Sequence, residues 1–242
     1  MPPAARLVKR ALDLVVAAAL LLLLLPLMLA VAVLVVLESP GPALFVQRRV
    51  GERGRVFRML KFRSMRADAE AGTGPVFATP DDPRCTRLGR LLRHTNVDEL
   101  PQLLNVLAGH LSLVGPRPER PEFVELFERT VPGYARRHAI RPGITGLAQI
   151  RGLRGAHTSL PARLALDLQY IERWSVGLDL RILARTAFDC LRLALPLSAP
   201  SPAEGQDHYR LVALAEAGEE LEQRPVEPVR RLSPQGVLVE HD

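Results

Sequence analysis

The stretch Leu14–Leu37, LVVAAALLLLLLPLMLAVAVLVVL, contains no polar side chain. An α-helix rises ~1.5 Å per residue, so a straight helix of this length could cross the ~30 Å hydrocarbon core of a bilayer. Pro26 lies near the middle of the run, where its missing N–H and its ring favour a kink. Each half is too short to span a bilayer alone. The stretch therefore predicts membrane association and leaves the path of the helix open.

Positive charge flanks this stretch on both sides. Basic residues cluster within 6–10 before it and within 48–66 after it. The positive-inside rule favours the cytoplasm for both flanks, which a single straight span cannot satisfy. A re-entrant helix-break-helix over residues 1–40, kinked at Pro26, satisfies it, and a spanning helix is the alternative. A cleaved signal peptide is not expected, because the apolar run is too long and residues 38–42 are not a small-residue cleavage site.

Charge is unevenly distributed along the chain. The net charge is +6, but residues 197–242 carry nine acidic and four basic residues, which leaves +11 on residues 1–196. A basic body needs an anionic partner, such as an anionic lipid or a phosphorylated substrate. Only 5% of residues are aromatic and no nucleic-acid-binding module is recognisable, so no nucleic acid is expected. Cys85 and Cys190 stand far apart, which is typical of free thiols in a reducing compartment.

The rest of the chain predicts a mostly helical α+β fold. Alternation over residues 43–65 indicates a small basic β-hairpin with a turn at Gly51–Gly54. Lys61 and Arg63 share one face of it, either exposed to solvent or directed at a phosphate. Helices are predicted over residues 86–93, 121–131, 163–174 and 178–195. The last is amphipathic and would either pack on the core or lie on an anionic bilayer surface.

Two short stretches carry the candidate chemistry. Asn96 stands three residues before Glu99, which predicts a capping box at a helix start. The adjacent carboxylates Asp98 and Glu99 would then be helix caps, or would divide the roles of nucleophile and metal ligand. Arg117 lies between two prolines, which is either a turn or a way to preorganise a guanidinium for a phosphate.

Seven motifs occur in a fixed order between Lys9 and Leu195. Together they resemble the bacterial sugar transferases that are monotopic phosphoglycosyl transferases. The motifs are SPGP (Ser39–Pro42), QRRVG (Gln47–Gly51), KFRSM (Lys61–Met65), DELPQLLNVL (Asp98–Leu107), SLVGPRPE (Ser112–Glu119), RPGITGLAQI (Arg141–Ile150) and DLQYIERWSVGLDLRIL (Asp167–Leu183).

This resemblance implies a transfer of sugar 1-phosphate from a UDP-sugar to a polyprenyl (undecaprenyl) phosphate, with release of UMP. Such a step initiates the synthesis of exopolysaccharide, O-antigen or another glycoconjugate. The family's catalytic dyad falls on Asp98 and Glu99. Asp98 would attack the sugar-bearing phosphate in a ping-pong mechanism through a phosphosugar-aspartyl intermediate, and Glu99 would hold Mg²⁺. The alternative is a non-catalytic basic scaffold that binds anionic lipid or a partner of the synthesis.

The resemblance also implies substrate-binding residues, which are listed at the end of this paragraph. The first four are expected on the substrate phosphates, and the last three lie in downstream motifs on the nucleotide-sugar side. The chain departs from the family pattern at His110, Leu147 and Leu25, and none of these touches the dyad. The stretch Gly152–Gly155 is similar to the branch that transfers glucose or galactose 1-phosphate. The expected ligands are Lys61, Arg63, Arg93, Arg117, Arg141, Gln149 and Arg154.

The family's organisation implies a re-entrant membrane helix with both ends in the cytoplasm. Residues 41–196 would form a membrane-associated catalytic domain with interfacial amphipathic helices, on the cytoplasmic face of the bacterial inner membrane. Residues 197–242, rich in proline and acids, predict a largely disordered tail. The sequence leaves open the sugar, the polymer, a homo-oligomeric state and the role of the tail.

Overall fold

A computed structural model of the chain describes residues 3–66, 68–70, 82–153 and 158–194. The predicted disordered tail and Arg154 lie outside these residues. The described part is α+β and mostly helical, as predicted. The helices are α1 Pro3–Glu38, α2 Arg87–Thr95, α3 Gln102–Leu107, α4 Pro121–Thr130, α5 Leu147–Ile150, α6 Leu160–Glu172 and α7 Val176–Ala194. The strands are β1 Leu44–Val50, β2 Val56–Phe62, β3 Ser112–Val114 and β4 Gly143–Thr145.

The apolar stretch forms one continuous helix. α1 has 36 residues and includes Pro26 in its interior. The predicted division into two helices at Pro26 is therefore not confirmed. Proline removes only one hydrogen bond of the helix, and the bonds on either side continue it. Among the described residues, α1 is the one helix long and apolar enough to cross a membrane by length and composition.

One face of α1 packs against the rest of the molecule along almost its whole length. Buried positions recur at helical spacing on this face: Lys9, Asp13, Ala17, Met28, Val31 and Val35. The opposite face is apolar and exposed, with the largest exposed side chains at Leu7, Val15, Leu22, Leu23, Leu29, Val33 and Leu37. The helix therefore contacts the body at both of its ends and leaves an apolar surface uncovered.

Polar contacts fix the N-terminal end of α1. Lys9 Nζ donates to Asp179 Oδ2 on α7 at 2.7 Å. Asp13 Oδ1 accepts hydrogen bonds from Ser112 Oγ and from the Leu113 backbone N–H, both at 3.0 Å. These charges are buried and paired, which is the arrangement that keeps the cost of burying an ion low. They attach the first turns of the helix to β3 and α7.

Arg63 fixes the C-terminal end of α1. Its guanidinium donates to the Ser39 carbonyl at 2.6 Å and to the Pro40 carbonyl at 2.5 Å. Gly41 adopts φ +123°, and a Cβ there would collide with the same guanidinium. The same guanidinium lies 3.4 Å from the Val35 carbonyl in the last turn of α1, so this arginine supplies donors both to the helix end and to the turn that follows it.

The predicted hairpin is confirmed. β1 and β2 are antiparallel, with Leu44 opposite Phe62 and Val50 opposite Val56. Lys61 stands near the end of β2 that leads toward the candidate site. The parallel pair β3–β4 was not predicted, because each strand has only three residues.

The core lies between α1, α3 and the two C-terminal helices. α3 contributes Leu103 and Val106, which pack with Leu111, Tyr170 and Ile182. Burying these side chains fixes α3 against α1 and β2. Since the acidic pair directly precedes α3, the core also fixes the position of that pair.

Candidate active site

A tight turn between α2 and α3 carries the acidic pair. Asn96 ends α2 in the left-handed conformation, with φ +58°, and its side chain makes no capping hydrogen bond. Val97–Glu99 then form a single 3₁₀ turn. The predicted capping box is wrong, because asparagine tolerates the left-handed conformation and here terminates a helix. As a result of this turn, the carboxylates of Asp98 and Glu99 have different numbers of cations and hydrogen-bond donors around them.

Two cations hold Glu99. Its Oε1 accepts from Lys61 Nζ at 2.6 Å and from Arg117 Nη2 at 2.8 Å, and Oε2 lies 3.4 Å from Arg117 Nη1. Burial alone would raise the pKa of Glu99, but the charges of Arg117 and Lys61 outweigh it and hold that pKa well below its usual value. Glu99 is therefore ionised at neutral pH and fixed in place.

Asp98 is much less well compensated. Its side chain is buried, and the nearest cation is Lys61 Nζ, 3.9 Å from Oδ2. Within the described residues its carboxylate accepts no hydrogen bond. Burial is the largest cause that raises the pKa of Asp98; the charge of Lys61 lowers it and the negative charge of Glu99 raises it, and together with the nearby arginines they leave this pKa at about 6. The result is a carboxylate that is ionised at neutral pH but poorly stabilised as an anion, which favours nucleophilic attack.

The backbone around Arg117 is held from both sides. Arg49 Nη1 donates to the Pro118 carbonyl at 2.9 Å, and Arg137 Nη2 donates to the Arg117 carbonyl at 2.8 Å. The ion pair with Glu99 raises the pKa of Arg117, which stays charged. The predicted preorganisation of this guanidinium thus has a structural basis beyond the flanking prolines.

A buried charged cluster lies behind this loop. Arg137 bonds Asp167 through Nε at 2.9 Å and Nη2 at 2.7 Å, and its Nη1 donates to the Tyr134 hydroxyl at 2.7 Å. Next to it, Arg163 Nη1 donates to Glu119 Oε1 at 2.7 Å. The sequence analysis did not predict that Arg137 supports the site. No pattern in the neighbouring residues distinguishes a buried arginine from an exposed one in a polar stretch. The motif containing Asp167 was the available signal.

The remaining predicted ligands have varied locations. Arg93 is half-buried at the end of α2, and its charge lowers the pKa of Asp98. The Arg63 guanidinium donates its hydrogen bonds to the Ser39 and Pro40 carbonyls after α1. It is therefore not available to a phosphate in this conformation. Gln149 is buried and donates to the Ile144 carbonyl at 2.8 Å.

Arg141 lines a separate cavity. Arg154 lies outside the described residues. The structure thus brings Lys61, Arg93 and Arg117 to the dyad.

The dyad fits one kind of metal site. No group of three or more His, Cys, Asp or Glu side chains forms a metal cage within the described residues. Mg²⁺ is commonly held by one or two carboxylates together with substrate phosphates and water. Glu99 Oε2 is only weakly engaged by Arg117, at 3.4 Å, and retains free lone pairs. The donor set therefore suits a magnesium ion that arrives with a diphosphate substrate.

A sequence profile described as "Bacterial sugar transferase" matches residues 4–193. The chain belongs to this family. The prediction of an enzyme of the phosphoglycosyl transferase class is thereby confirmed.

Individual relatives agree with this assignment. The chain is 49% identical over 183 residues to the "UDP-glucose:undecaprenyl-phosphate glucose-1-phosphate transferase" of Caulobacter vibrioides, covering 74% of this chain and 68% of the relative. It is also 49% identical over 187 residues to the "Exopolysaccharide production protein PSS" of Rhizobium leguminosarum bv. phaseoli, covering 74% and 93%. A third relative is the "UDP-N-acetylgalactosamine-undecaprenyl-phosphate N-acetylgalactosaminephosphotransferase" of Aeromonas hydrophila, 45% identical over 76% of this chain and 44% of the relative.

Proposed function

We propose that the chain transfers a sugar 1-phosphate from a UDP-sugar to undecaprenyl phosphate and releases UMP. The named activities of the Caulobacter and Aeromonas relatives support these substrates. The Rhizobium relative supports a place in exopolysaccharide production. One observation about the site carries the mechanism, namely the unequal environments of the two carboxylates.

Glu99 is held by two cations at hydrogen-bonding distance, whereas Asp98 has a single cation at 3.9 Å. A carboxylate that is tied by strong charge-assisted bonds is a poor nucleophile, because attack would break those bonds. A buried, unbonded carboxylate with a pKa of about 6 is ionised at pH 7 and retains more basicity than an exposed aspartate. This difference supports Asp98 as the nucleophile and Glu99 as the positioning and metal-binding group.

The reaction has two displacements at the sugar-bearing phosphorus. In the first, an Asp98 oxygen forms a bond to this phosphorus, and the bond to the bridging oxygen breaks so that UMP leaves with the electron pair. In the second, an oxygen of the polyprenyl phosphate attacks the same phosphorus and Asp98 leaves as a carboxylate. No proton needs to be removed from either nucleophile when both are ionised.

Three cations of the chain offset the charge of the diphosphate. Lys61 and Arg117 contact Glu99, and Arg93 is close enough to Asp98 to lower its pKa. Fixed cations at a phosphoryl-transfer site stabilise charge on the transferred group and on the leaving oxygen. A bound Mg²⁺, with Glu99 as its protein ligand, would neutralise further negative charge on the diphosphate.

The position of α1 supports a monotopic arrangement on the cytoplasmic face of the bacterial inner membrane. Its contacts with the body run from Lys9 to Glu38, roughly 44 Å by helical rise. A spanning helix would carry one of these ends across the bilayer, away from the body it contacts. We therefore infer that both ends of α1 are cytoplasmic and that its apolar face enters the membrane.

α7 adds a second apolar surface. Leu180, Phe188 and Leu191 are exposed at helical spacing, and Arg185 pairs with Asp189 at 3.1 Å beside them. This pattern supports an interfacial helix. A cysteine introduced at Ala5, in a chain whose own cysteines are removed by Cys85→Ser and Cys190→Ser, tests the topology. A membrane-impermeant maleimide should label it only after cell lysis, and labelling in intact spheroplasts would contradict it.

The activity is tested with the full chain in membranes or detergent, using undecaprenyl phosphate, Mg²⁺ and a panel of UDP-sugars, with UMP release as the readout. We expect UDP-glucose to be the preferred donor, because the Caulobacter relative is named for glucose transfer. If UDP-N-acetylgalactosamine is preferred, the proposed donor sugar is wrong and the proposed reaction still holds. Absence of UMP release with every donor, alongside salt-sensitive lipid binding unaffected by Asp98→Asn, would favour the non-catalytic scaffold instead.

A further inference from the structure

A second cluster of cations lies around a cavity of about 680 Å³. The walls come from the first turns of α1, the turn between β1 and β2, and the segments before β3 and β4. Five arginines line it: Arg6, Arg10, Arg53, Arg55 and Arg141. Lys61 and Arg55 are six residues apart along the β2 arm, which separates their backbones by roughly 20 Å at ~3.3 Å per residue. The cavity is therefore distinct from the dyad.

Few carboxylates balance these arginines. Two line the cavity, Asp13 and Glu52. Asp13 is already bonded to Ser112 and Leu113 and lies beside Lys9. Glu52 is shared between Arg6 at 3.9 Å and Arg141 at 3.6 Å, distances longer than a good hydrogen bond. The cavity thus has a large excess of positive charge over its own anions.

Backbone carbonyls, and not an anion, hold the Arg10 guanidinium in place. Arg10 donates to the Val106 carbonyl at 2.7 Å and to the Leu107 carbonyl at 3.1 Å. Burial and the charge of Arg141 both lower the pKa of Arg10, so the two guanidiniums are close enough to repel each other. Packing like charges against one another costs free energy that a bound anion would recover.

The turn of the hairpin presents two more cations. Arg53 and Arg55 are exposed, and within the described residues neither has an ion-pair partner. Arg53 has φ +57°, a left-handed conformation that residues other than glycine seldom adopt. Guanidiniums suit phosphate especially well, because their planar donors bind two oxygens at once.

An apolar surface adjoins the cavity. Leu7 lines it and is 73% exposed, and the uncovered face of α1 begins at this residue. A ligand in the cavity would thus place an anion among arginines and still reach the apolar face of the helix. Phospholipids combine these two properties, whereas soluble phosphates provide only the first.

We propose that this cavity is a second phosphate-binding site, which takes the anionic headgroup of a membrane phospholipid beside the N-terminal end of α1. The site is independent of the proposed transfer reaction. Its ligand would fix the height and orientation of this end of α1 at the membrane surface.

The test uses the full chain in a non-ionic detergent and titration calorimetry with two probes, dihexanoyl phosphatidic acid and inorganic phosphate. The diagnostic variant is Arg53→Gln/Arg55→Gln, since both side chains are exposed. The matched control is Arg48→Gln/Arg58→Gln, which removes two exposed charges from the same hairpin away from the cavity. Arg117→Gln separates this site from the dyad. We expect the diagnostic variant to weaken lipid binding about tenfold or more, because it removes two guanidiniums that can donate charge-assisted hydrogen bonds to the headgroup.

Each outcome is decisive. Tighter binding of the lipid than of inorganic phosphate, lost only in the diagnostic variant, supports the headgroup site. Equal affinities that are lost in the same variant keep the phosphate site but make a soluble phosphate its ligand. The proposal is overturned by an equal loss in Arg48→Gln/Arg58→Gln, by loss in Arg117→Gln alone, or by the absence of binding to the unaltered chain.

Discussion

Two buried charged clusters contact Arg117, one through its backbone carbonyl and the other through its guanidinium. In the first, Arg137 and Asp167 pair at 2.7 Å, and the Tyr134 hydroxyl accepts a further bond from Arg137. In the second, Glu99 is paired in the same manner, but its neighbour Asp98 accepts no hydrogen bond among the described residues. Full pairing compensates burial and produces a rigid support, whereas a buried carboxylate left without bonds costs stability. The comparison supports the proposal that the first cluster positions the Arg117 loop and that Asp98 carries the chemistry.

The largest effect is expected from Asp98→Asn, which keeps the shape of the side chain and removes the nucleophilic charge. UMP release should fall by about 10³-fold or more, as with loss of other catalytic nucleophiles. Glu99→Gln is the comparison variant, because it should weaken the magnesium dependence as well as the rate. Normal turnover by Asp98→Asn would refute its role.

The same substitution should not destabilise the fold at neutral pH. The folded-state pKa of Asp98, about 6, lies above its ordinary value of 3.8, so the folded state binds this proton more tightly than the unfolded state. The stabilisation that this provides is present below about pH 4 and is lost as the pH rises through 6. At pH 8 Asp98→Asn should therefore melt at or above the melting temperature of the unaltered chain, and this difference should vanish near pH 4. A clear loss of stability at pH 8 would mean that Asp98 is a structural residue.

Breaking the paired cluster should produce the opposite result. Arg137→Gln leaves Asp167 buried without its cation, which typically costs ~3–5 kcal/mol. We expect a lower melting temperature and a reduced rate, since Arg137 also holds the Arg117 carbonyl. The double variant Arg137→Met/Asp167→Leu should recover stability, because it removes both charges. Recovery of stability without recovery of activity would separate the positioning role from the structural one.

A smaller effect is expected from Arg117→Lys. Lysine keeps the charge but lacks the planar guanidinium with which Arg117 donates two parallel bonds to the two oxygens of Glu99, at 2.8 and 3.4 Å. The rate should fall by about 10²-fold or less, the cost of losing one fixed donor at a charged site. Arg120→Lys is a matched control, since Arg120 pairs with Glu70 away from the dyad. Equal losses of rate in the two variants would contradict a specific role for Arg117 in the reaction.

The smallest effect concerns pH. If Asp98 attacks as an anion, kcat/KM should fall about tenfold per pH unit below pH 6. Lys61 lowers the pKa of Asp98, so Lys61→Gln should move this limb of the profile to higher pH. An unchanged limb in the variant would show that another group controls it.

Local sequence patterns predicted most of the elements. The hairpin and the helices α2, α4, α6 and α7 follow from alternation and helical periodicity within single segments. The β3–β4 pair was missed, because three-residue strands from distant segments leave no pattern. Pro26 predicted a break that does not appear, since packing of one face of α1 against the body holds the helix together on both sides.

In the candidate site, too, local motifs predicted some residues, whereas contacts between distant segments were not predictable. Motifs identified the dyad, Lys61 and Arg117 by their residue types and order, and the structure brings these four together. The sequence could not distinguish Arg63 from Lys61, because the alternation predicts both on one face of the hairpin, whereas β2 ends at Phe62. The neighbouring carbonyls of Ser39 and Pro40 determine that Arg63 caps α1. Contacts between distant segments, such as Arg137 with the Arg117 carbonyl, have no local signal at all.

The unequal pair of carboxylates leads to one direct measurement. The full chain is incubated with UDP-glucose and Mg²⁺ in the absence of any polyprenyl phosphate, and its intact mass and peptide masses are recorded. We predict one equivalent of UMP and a mass increase of one hexose phosphate on the peptide that contains Asp98, absent from Asp98→Asn and removed on addition of undecaprenyl phosphate. UMP release that requires the lipid phosphate, with no adduct on the protein at any time, would contradict a covalent intermediate at Asp98.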